Sequence, residues 1–226
     1  MIKAKKLVIV GVGEIANMAY EYFTYDSEYE VAAFSVNKCF IKENVFRELR
    51  VVALEELTDA YSPDEYFVFV AIGEKHLNRD RANVCENVKK LGYKLVSYVS
   101  SKAFIWHNVK IGENCFILEN NTLQPFVSIG DNVTLWSGNH IGHQTKIDNN
   151  CFITSQVVIS GMCEIGANTY IGVNATIANN IKLAKDNFIG MGAVIGKNTL
   201  ENTVYTGNPA VASNVSALRL CKVKEQ

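Results

Sequence analysis

The sequence predicts an α/β domain at the front of the chain, followed by a prism of short parallel strands. Two observations support this prediction. The first is a six-residue period of aliphatic residues that runs without interruption from Ile105 to Ile195. The second is an alternation of strand-like and helix-like segments over residues 1–98, which includes a glycine-rich turn.

The composition is that of an ordinary globular protein. The chain has 226 residues, of which 48% are hydrophobic and 20% charged, and its formal net charge is −1. This balance gives no electrostatic reason to expect nucleic acid as a partner. The apolar run LVIVGVG near the start is too short to span a membrane and lacks the layout of a signal peptide, so we expect a cytoplasmic protein. The six cysteines show no CxxC pair and no zinc spacing, which predicts free thiols.

The front of the chain is predicted to form a small sheet of four or five parallel strands with helices between them. One helix is expected after GVG, and a second over NRDRANVCENVKKLGY, closed by Gly92. Ligands of such sheets bind at the carboxyl ends of the strands. Buried strands are expected at KLVIVG, EVAAFSV, EYFVFVAIG and KLVSYVS.

The first turn, from Gly11 to Ala16, matches G-x-G-x-x-A between a strand and a helix. Backbone N–H groups at the start of such a helix can hold phosphate, although the glycines also have a purely structural explanation in tight strand-to-helix packing. A nicotinamide enzyme should carry an acid at the end of the second strand. This chain has Ser35, Val36 and Asn37 there, so dinucleotide oxidation is disfavoured.

The periodic region predicts the architecture of the rest of the chain. Sixteen positions in succession, six residues apart, carry Ile or Leu, which fits neither an amphipathic helix nor a hairpin. The period fits short parallel strands joined by tight turns, and three such strands close a triangular coil. Residues eighteen apart therefore stack at about one strand spacing, roughly 4.8 Å. Small residues recur two positions earlier, among them Cys115, Cys151 and Cys163, which we expect to be buried.

These repeats resemble the left-handed parallel β-helix of the hexapeptide-repeat acyltransferases. Together with the front domain and the trailing segment VYTGNPAVAS, they make the whole chain similar to the bacterial sugar N-acetyltransferases of the bacillosamine, perosamine and viosamine type. The sialic-acid O-acetyltransferases share this layout. The resemblance implies a Rossmann-like nucleotide-sugar domain over residues 1–98, a left-handed β-helix over 99–202 and a C-terminal extension over 203–226. It also implies acetyl-coenzyme A as cosubstrate and a homotrimer with active sites between neighbouring subunits.

Two of the four histidines, His140 and His143, lie close together in NHIGHQTKID. The resemblance places His143 at the general base that takes a proton from the attacking amine or hydroxyl. Gly161 follows eighteen residues later, so it should stack on His143 and offer its N–H to the developing oxyanion. Gln144 stands where the family has Glu, and a neutral amide orients the ring but stabilises an imidazolium less strongly. Asp148 is the other candidate partner of the ring.

The resemblance implies further binding residues. His140 is expected to point outward, toward substrate or a subunit interface. Phe152 stands where the family has a histidine that borders acetyl-coenzyme A, and three upper lysines suit its phosphates: Lys182, Lys185 and Lys197. The nucleotide sugar is expected at Gly11, Gly13, Ser35, Asn37, Ile72 and Gly73. The cosubstrate is expected at Phe152, Gly161, Gly172, Val173, Gly190 and Met191. A metal is not expected, because the spacing of histidines in prism-shaped carbonic anhydrases is missing.

We therefore expect an acetyl-coenzyme A-dependent N-acetyltransferase that acts on a nucleotide-linked amino sugar for bacterial surface-glycan biosynthesis. Direct attack is favoured because no serine or cysteine stands in a recognisable nucleophile setting. An O-acetyltransferase of sialic acid or another surface sugar is the nearest alternative, and a non-catalytic sugar-nucleotide scaffold is the alternative from another class. The sequence leaves open the sugar, its nucleotide carrier and acyl groups other than acetyl.

Overall fold

A computed structural model describes residues 5–208 and 210–223 of the chain. The protein divides into two compact units. The first comprises the residues up to Gly73 together with Arg81–Tyr98, and the second comprises Glu74–Asp80 together with the chain from Val99 onward. The sequence carried no signal for the assignment of Glu74–Asp80 to the second unit.

The first unit is built on a five-stranded sheet in the order β3-β4-β2-β1-β5. Four strands are parallel, and only β3 runs antiparallel, next to β4. The parallel strands have the strand order of half of a doubly wound sheet. The last four residues of β1 and all of β5 are apolar, as expected where both faces of a strand are covered. The strands are β1 Lys5–Val10, β2 Tyr29–Val36, β3 Val45–Phe46, β4 Leu49–Ala53 and β5 Tyr66–Val70.

The helices of the chain are short. Helix α1 buries Ala16, Ala19 and Phe23, which recur on one face at helical spacing. Helix α3 ends in two lysines, favourable at a helix C-terminus, before Gly92 in a left-handed conformation. Within the described ranges, no helix combines the length and apolar character needed to cross a membrane. The helices are α1 Glu14–Tyr25, α2 Leu57–Ala60 and α3 Arg79–Lys90, with 3₁₀ turns at Lys38–Phe40 and Leu54–Glu56 and a last helix, α4, at Ala217–Leu220.

One strand prediction for the first unit needs correction, and strands β3 and β4 lie outside every predicted strand. The predicted strand KLVSYVS is reduced to Tyr98–Val99, and Leu95 contributes only an isolated bridge to Val68 of β5. The segment runs along β5 for one pair of backbone hydrogen bonds and then leaves it. Strand β4 was missed, because its apolar run is short and is followed at once by acidic residues.

The second unit is a three-sided prism of two-residue strands. Each strand pairs in parallel with the strand eighteen residues away, so that His140 lies between Thr122 and Val158. The first face contains Phe104–Ile105, Thr122–Leu123, His140–Ile141, Val158–Ile159, Thr176–Ile177 and Val194–Ile195. The second face contains Lys110–Ile111, Ser128–Ile129, Lys146–Ile147, Glu164–Ile165 and Lys182–Leu183. The third face includes Phe116–Ile117, Thr134–Leu135, Phe152–Ile153, Tyr170–Ile171 and Phe188–Ile189.

The repeats and the three parallel sheets fit a left-handed parallel β-helix, as the resemblance implies. The third face continues beyond the repeats with Thr203–Thr206, which is parallel to Phe188–Ile189. Val211–Ser216 then runs antiparallel to Thr203–Thr206. Of the segment VYTGNPAVAS, Pro209 lies outside the described residues.

The periodic aliphatic residues fill the axis of the prism. From Ile117 to Ile195 they form one buried cluster, and Ile105 and Ile111 pack against it. Cys115, Cys151 and Cys163 belong to the same cluster, and none of the six cysteines, all of them within the described residues, is in a disulfide bond. Full burial of each such aliphatic side chain stabilises the fold by about 1.5–3 kcal/mol.

The corner between the second and third faces is held by an asparagine ladder, and we call it the asparagine corner. Its turn positions Asn114, Asn132, Asn150, Asn168 and Asp186 all have left-handed backbone, which asparagine tolerates better than most residues. The Asn114 side chain donates to Asn132 at 3.0 Å, and Asn132 donates to Asn150 at 2.8 Å. The ladder thus couples successive coils through side chains as well as backbone.

The segment Glu74–Asp80 is anchored to the asparagine corner. Asn78 donates from Nδ2 to the carbonyl of Asn150 at 2.7 Å, and Arg79 pairs with Asp186 at 2.8 Å. His76, Leu77 and Asn78 are consecutive residues with left-handed backbone, a conformation that costs roughly 1–2 kcal/mol per non-glycine residue. These anchoring contacts offset that cost.

Replacing Asn132 by alanine should lower the free energy of unfolding by about 3 kcal/mol, because two ladder hydrogen bonds are lost and alanine is strained at a positive φ. Glycine at the same position loses the hydrogen bonds without the strain, so Asn132→Gly should cost about 1 kcal/mol less. Urea unfolding followed by circular dichroism measures both. Equal losses for the two variants would contradict the contribution of backbone strain, and no loss would contradict the ladder.

Candidate active site

His143 and Gly161 occupy the same turn position in successive coils, at the corner between the first and second faces. We call this corner, with Asn179 one coil further, the histidine corner. A Cβ built on Gly161 would lie 2.6 Å from Nε2 and 2.8 Å from Cε1 of His143. The imidazole therefore fills the space that a side chain at position 161 would need. The structure brings this predicted pair into contact, and only glycine leaves room for the ring.

The exposed ring of His143 also contacts Gln144, through its other ring nitrogen. Nδ1 lies 3.3 Å from Oε1 of Gln144, an oxygen that only accepts hydrogen bonds. We therefore assign the Nδ1–H tautomer, which leaves Nε2 unprotonated beside Gly161. The backbone N–H of His143 donates to Oε1 of Gln124 at 2.9 Å, a contact that the sequence did not predict. Asp148, the other proposed partner, pairs with Lys146 at 3.1 Å.

The predicted oxyanion donor already has an acceptor. The N–H of Gly161 donates to Oδ1 of Asn179 at 2.9 Å. Sequence reasoning did not single out Asn179, although the eighteen-residue spacing places it directly after Gly161 in the same column. Cys163, two residues from Gly161, points into the core, and burial raises the pKa of its thiol. A reactive thiolate is therefore disfavoured at this corner.

The predicted cosubstrate residues Gly172, Val173, Gly190 and Met191 meet at another corner, between the third and first faces, which we call the glycine corner. A Cβ on Gly172 would lie 2.5 Å from the backbone nitrogen of Met191, so successive coils touch there through their backbones. Val173 and Met191 are 43% and 79% exposed. Within one chain the first face separates the glycine corner from the histidine corner.

His140 and Phe152 lie outside both corners. His140 is half-buried on the first face, where strand alternation directs it outward. Phe152 is 3% exposed on the third face, with its ring stacked on Tyr170 at 5.9 Å. Its predicted contact with the cosubstrate stays a prediction. Two of the three upper lysines are in ion pairs, Lys182 with Glu164 at 3.0 Å and Lys185 with Glu201 at 3.1 Å.

A separate cavity of about 610 Å³ lies in the second unit. Tyr170 and Phe188, stacked at 4.7 Å, form one wall, and no predicted site residue lines the cavity. Burial raises the pKa of Cys221 at its edge to about 11, which disfavours a thiolate there as well. In the part of the chain that the structure describes, no three His, Cys, Asp or Glu side chains are grouped as metal ligands.

In the first unit, the predicted nucleotide residues collect at the carboxyl ends of β1, β2 and β5. Gly11 is required by the fold, because its φ is +132° and a Cβ there would lie 2.5 Å from the carbonyl oxygen of Ala71. Gly13 is not required by the fold, since no atom lies within 4 Å of a Cβ built on it. Gly13 is the N-cap of α1 and makes no side-chain cap, so the first helical N–H groups are open to an anion. Ile72 and Gly73 follow β5.

The end of β2 carries Ser35 and Asn37, whose contacts with a nucleotide stay predictions. Ser35 is completely buried, and its hydroxyl has no hydrogen-bond partner, while its carbonyl accepts from the N–H of Gly11 at 2.7 Å. Asn37 lies 3.5 Å from Glu55, whose carboxylate also accepts from the N–H of Lys38 at 2.9 Å. Hydrogen bonds from the backbone N–H groups of Glu55 itself and of Lys38 lower the pKa of that carboxyl. A carboxylate thus lies beside the end of β2, contributed by the residues after β4.

The fold and site define a two-unit protein, in which a parallel α/β sheet accompanies a β-helix that carries an exposed histidine against a glycine. The family model that matches is the bacterial transferase hexapeptide (six repeats), over residues 108–143, 126–161 and 162–197. A comparison with curated proteins finds no match.

Solved structures share this fold over nearly the whole chain. The acetyltransferase domain of PglB from Neisseria gonorrhoeae is 22% identical, with a TM-score of 0.82 over 93% of this chain and 100% of that chain. PerB from Caulobacter crescentus, in complex with CoA and GDP-perosamine, is 20% identical, with a TM-score of 0.83 over 95% and 100%. WeeI from Acinetobacter baumannii is 18% identical, with a TM-score of 0.72 over 93% and 100%. The resemblance to the sugar N-acetyltransferases is confirmed in fold.

A methyl group at position 161 should move the His143 ring. Gly161→Ala places a Cβ 2.6 Å from Nε2, and the exposed ring can rotate into solvent, so we expect a displaced imidazole with little loss of stability. A crystal structure of the variant measures this displacement. Gly196→Ala is the control, since no atom lies within 4 Å of that Cβ. An unmoved ring in Gly161→Ala would contradict the close packing of this pair.

Proposed function

We propose that this protein is an acetyl-coenzyme A-dependent N-acetyltransferase that acts on an amino sugar carried by a nucleoside diphosphate, in bacterial surface-glycan biosynthesis in the cytoplasm. The observation that carries the proposal is the exposed His143 imidazole, held at Nδ1 by Gln144 and packed at Nε2 against Gly161. Proteins of the same fold support it: the PglB domain was solved with acetyl coenzyme A, and PerB with CoA and GDP-perosamine.

The chemistry needs one base and one fixed donor. The amine nitrogen attacks the thioester carbonyl carbon and forms the C–N bond, while His143 Nε2 takes the proton. Breaking the C–S bond then releases a thiolate, which the imidazolium can protonate to the free thiol. Gln144 keeps Nε2 available as the base but stabilises the imidazolium less than a carboxylate would. Direct attack is supported by the raised pKa of the Cys163 thiol, because a thiol without appreciable thiolate is a poor nucleophile.

The first unit is proposed to be a Rossmann-like domain that holds the nucleotide. The open N–H groups at the start of α1 suit the diphosphate, since a helix N-terminus favours negative charge. The space left beside Gly13 lets a phosphate approach the backbone there. At the adjacent strand ends, the Glu55 carboxylate would accept hydrogen bonds from the nucleoside, and the Asn37 amide would donate or accept them.

We also propose a homotrimer. Phe126 and Met162 occupy turn positions of the histidine corner with left-handed backbone, where the asparagine corner uses asparagine, and they are 67% and 44% exposed. An exposed apolar side chain in a conformation that costs about 1–2 kcal/mol is best explained by a partner that covers it. A neighbouring copy whose glycine corner faces His143 would cover Phe126 and Met162 and bring Val173 and Met191 to the base.

Replacing His143 by alanine should lower turnover by about two to four orders of magnitude, the usual weight of a positioned base. Thiol release from acetyl-coenzyme A, with a panel of nucleotide-linked amino sugars, measures it. His107→Ala is the matched control, because His107 holds the same turn position two coils away. Near-normal turnover in His143→Ala would contradict the mechanism. Transfer to amine-free acceptors only would indicate an O-acetyltransferase, and no thiol release with any acceptor would indicate a scaffold.

The proposed nucleotide site can be tested by introducing a negative charge at position 13. An aspartate there caps α1 favourably, so Gly13→Asp should fold at least as stably as the original, yet it should repel a diphosphate and weaken binding by about tenfold or more. Gly13→Ser caps the helix without charge and serves as the control. Calorimetric titration with GDP, UDP and dTDP measures binding. Unchanged affinity in Gly13→Asp would place the diphosphate elsewhere.

A further inference from the structure

We propose that Asn179 is a displaceable cap on the Gly161 amide. In the free protein its side chain occupies the N–H of Gly161, and it must swing away before that N–H can donate to the carbonyl oxygen of a bound thioester. The inference rests on the proposed acetyl transfer and identifies a positioning residue that governs when the oxyanion donor becomes available.

The cap itself is a recurring structural device. At the asparagine corner, Asp131 accepts from the N–H of Glu113, and Asn149 accepts from the N–H of Asp131, each at 2.9 Å across eighteen residues. Asn179 accepts from Gly161 at the same distance and the same spacing. The hydrogen bond alone therefore does not set Asn179 apart from the other caps.

Its surroundings do set it apart. At the asparagine corner the capped residues carry side chains of their own, whereas Gly161 has none and the His143 ring fills that space. The amide that Asn179 caps thus lies beside Nε2, the atom assigned as the base. An N–H has one hydrogen and makes one strong hydrogen bond at a time, so it cannot serve Asn179 and an oxyanion together.

The amides of His143 and Phe126 at this corner also donate to side chains, those of Gln124 and Asn108, but two other amides cannot be released in the same way. The N–H groups of Gln144 and Met162 donate to the backbone carbonyls of Pro125 and His143, which are fixed by the coil. The acceptor on Gly161 is a side chain, and Asn179 is exposed, so it can rotate into water. Releasing it exchanges one hydrogen bond for another with water, which should change the affinity for the thioester by about two- to tenfold.

Two substitutions separate the cap from other roles. Asn179→Ala leaves the Gly161 amide uncapped, so acetyl-coenzyme A should bind about two- to tenfold more tightly, with turnover at least normal. Asn179→Asp keeps the shape but caps with a charged acceptor and places negative charge where the oxyanion develops. We expect turnover to fall about a hundredfold and the affinity for acetyl-coenzyme A to fall about tenfold. Calorimetric titration of acetyl-coenzyme A without acceptor and thiol-release kinetics measure these effects.

The matched controls are Asn149→Ala and Asn149→Asp, which alter an equivalent cap at the asparagine corner and should leave both readouts unchanged. If the unaltered protein releases no thiol with any acceptor, the proposed function fails. If the unaltered protein is active and Asn179→Asp has the same turnover and the same affinity for acetyl-coenzyme A, this inference alone is overturned. A tenfold or larger loss of turnover in Asn179→Ala, with unchanged unfolding, would also overturn it, because the carboxamide would then be needed during the reaction.

Discussion

Backbone stacking between coils eighteen residues apart is the constraint on which the second unit depends. Each two-residue strand is hydrogen-bonded to the equivalent strand of the next coil, and one aliphatic residue per strand fills the axis. Because the strands are so short, the turns between them stack as regularly as the strands do. His143, Gly161 and Asn179 meet because they hold the same turn position in three successive coils. Inserting one residue between His143 and Gly161 would separate the base from its neighbour, and inserting one between Gly161 and Asn179 would separate the amide from its cap.

The sequence predicted what depends on this period and missed what depends on side-chain conformation. The spacing predicted the prism of stacked strands and placed Gly161 one coil above His143, the residue that the resemblance singled out, since stacking follows from counting residues. The hydrogen bond from Gly161 to Asn179 depends on a rotamer, which no periodicity reveals. In the first unit, the buried position of Ser35 and the approach of Glu55 depend on a strand too short for its pattern to stand out.

The asparagine and histidine corners show how one backbone carries two kinds of residue. Both use left-handed turn residues. The asparagine corner fills these positions with four asparagines and Asp186, whereas the histidine corner has Phe126, Gln144 and Met162 before Asn180. The ladder side chains hydrogen-bond to one another from coil to coil. The histidine corner exposes apolar side chains and an imidazole, and its left-handed apolar residues cost local stability. Such a cost is expected where an exposed surface serves binding or catalysis. The residues that stabilise the prism and the residues proposed to carry its chemistry thus lie at different corners.

The anchoring of Glu74–Asp80 has a consequence for how this protein can be dissected. Asn78 and Arg79 precede the prism in the chain by some twenty residues, yet they bond to Asn150 and Asp186 within it. A fragment that starts at Val99 would lack both partners and expose polar groups that the intact chain keeps satisfied. Expressing the prism by simple truncation would therefore yield a weakened piece, and a soluble excised version should be circularly permuted so that this segment is retained.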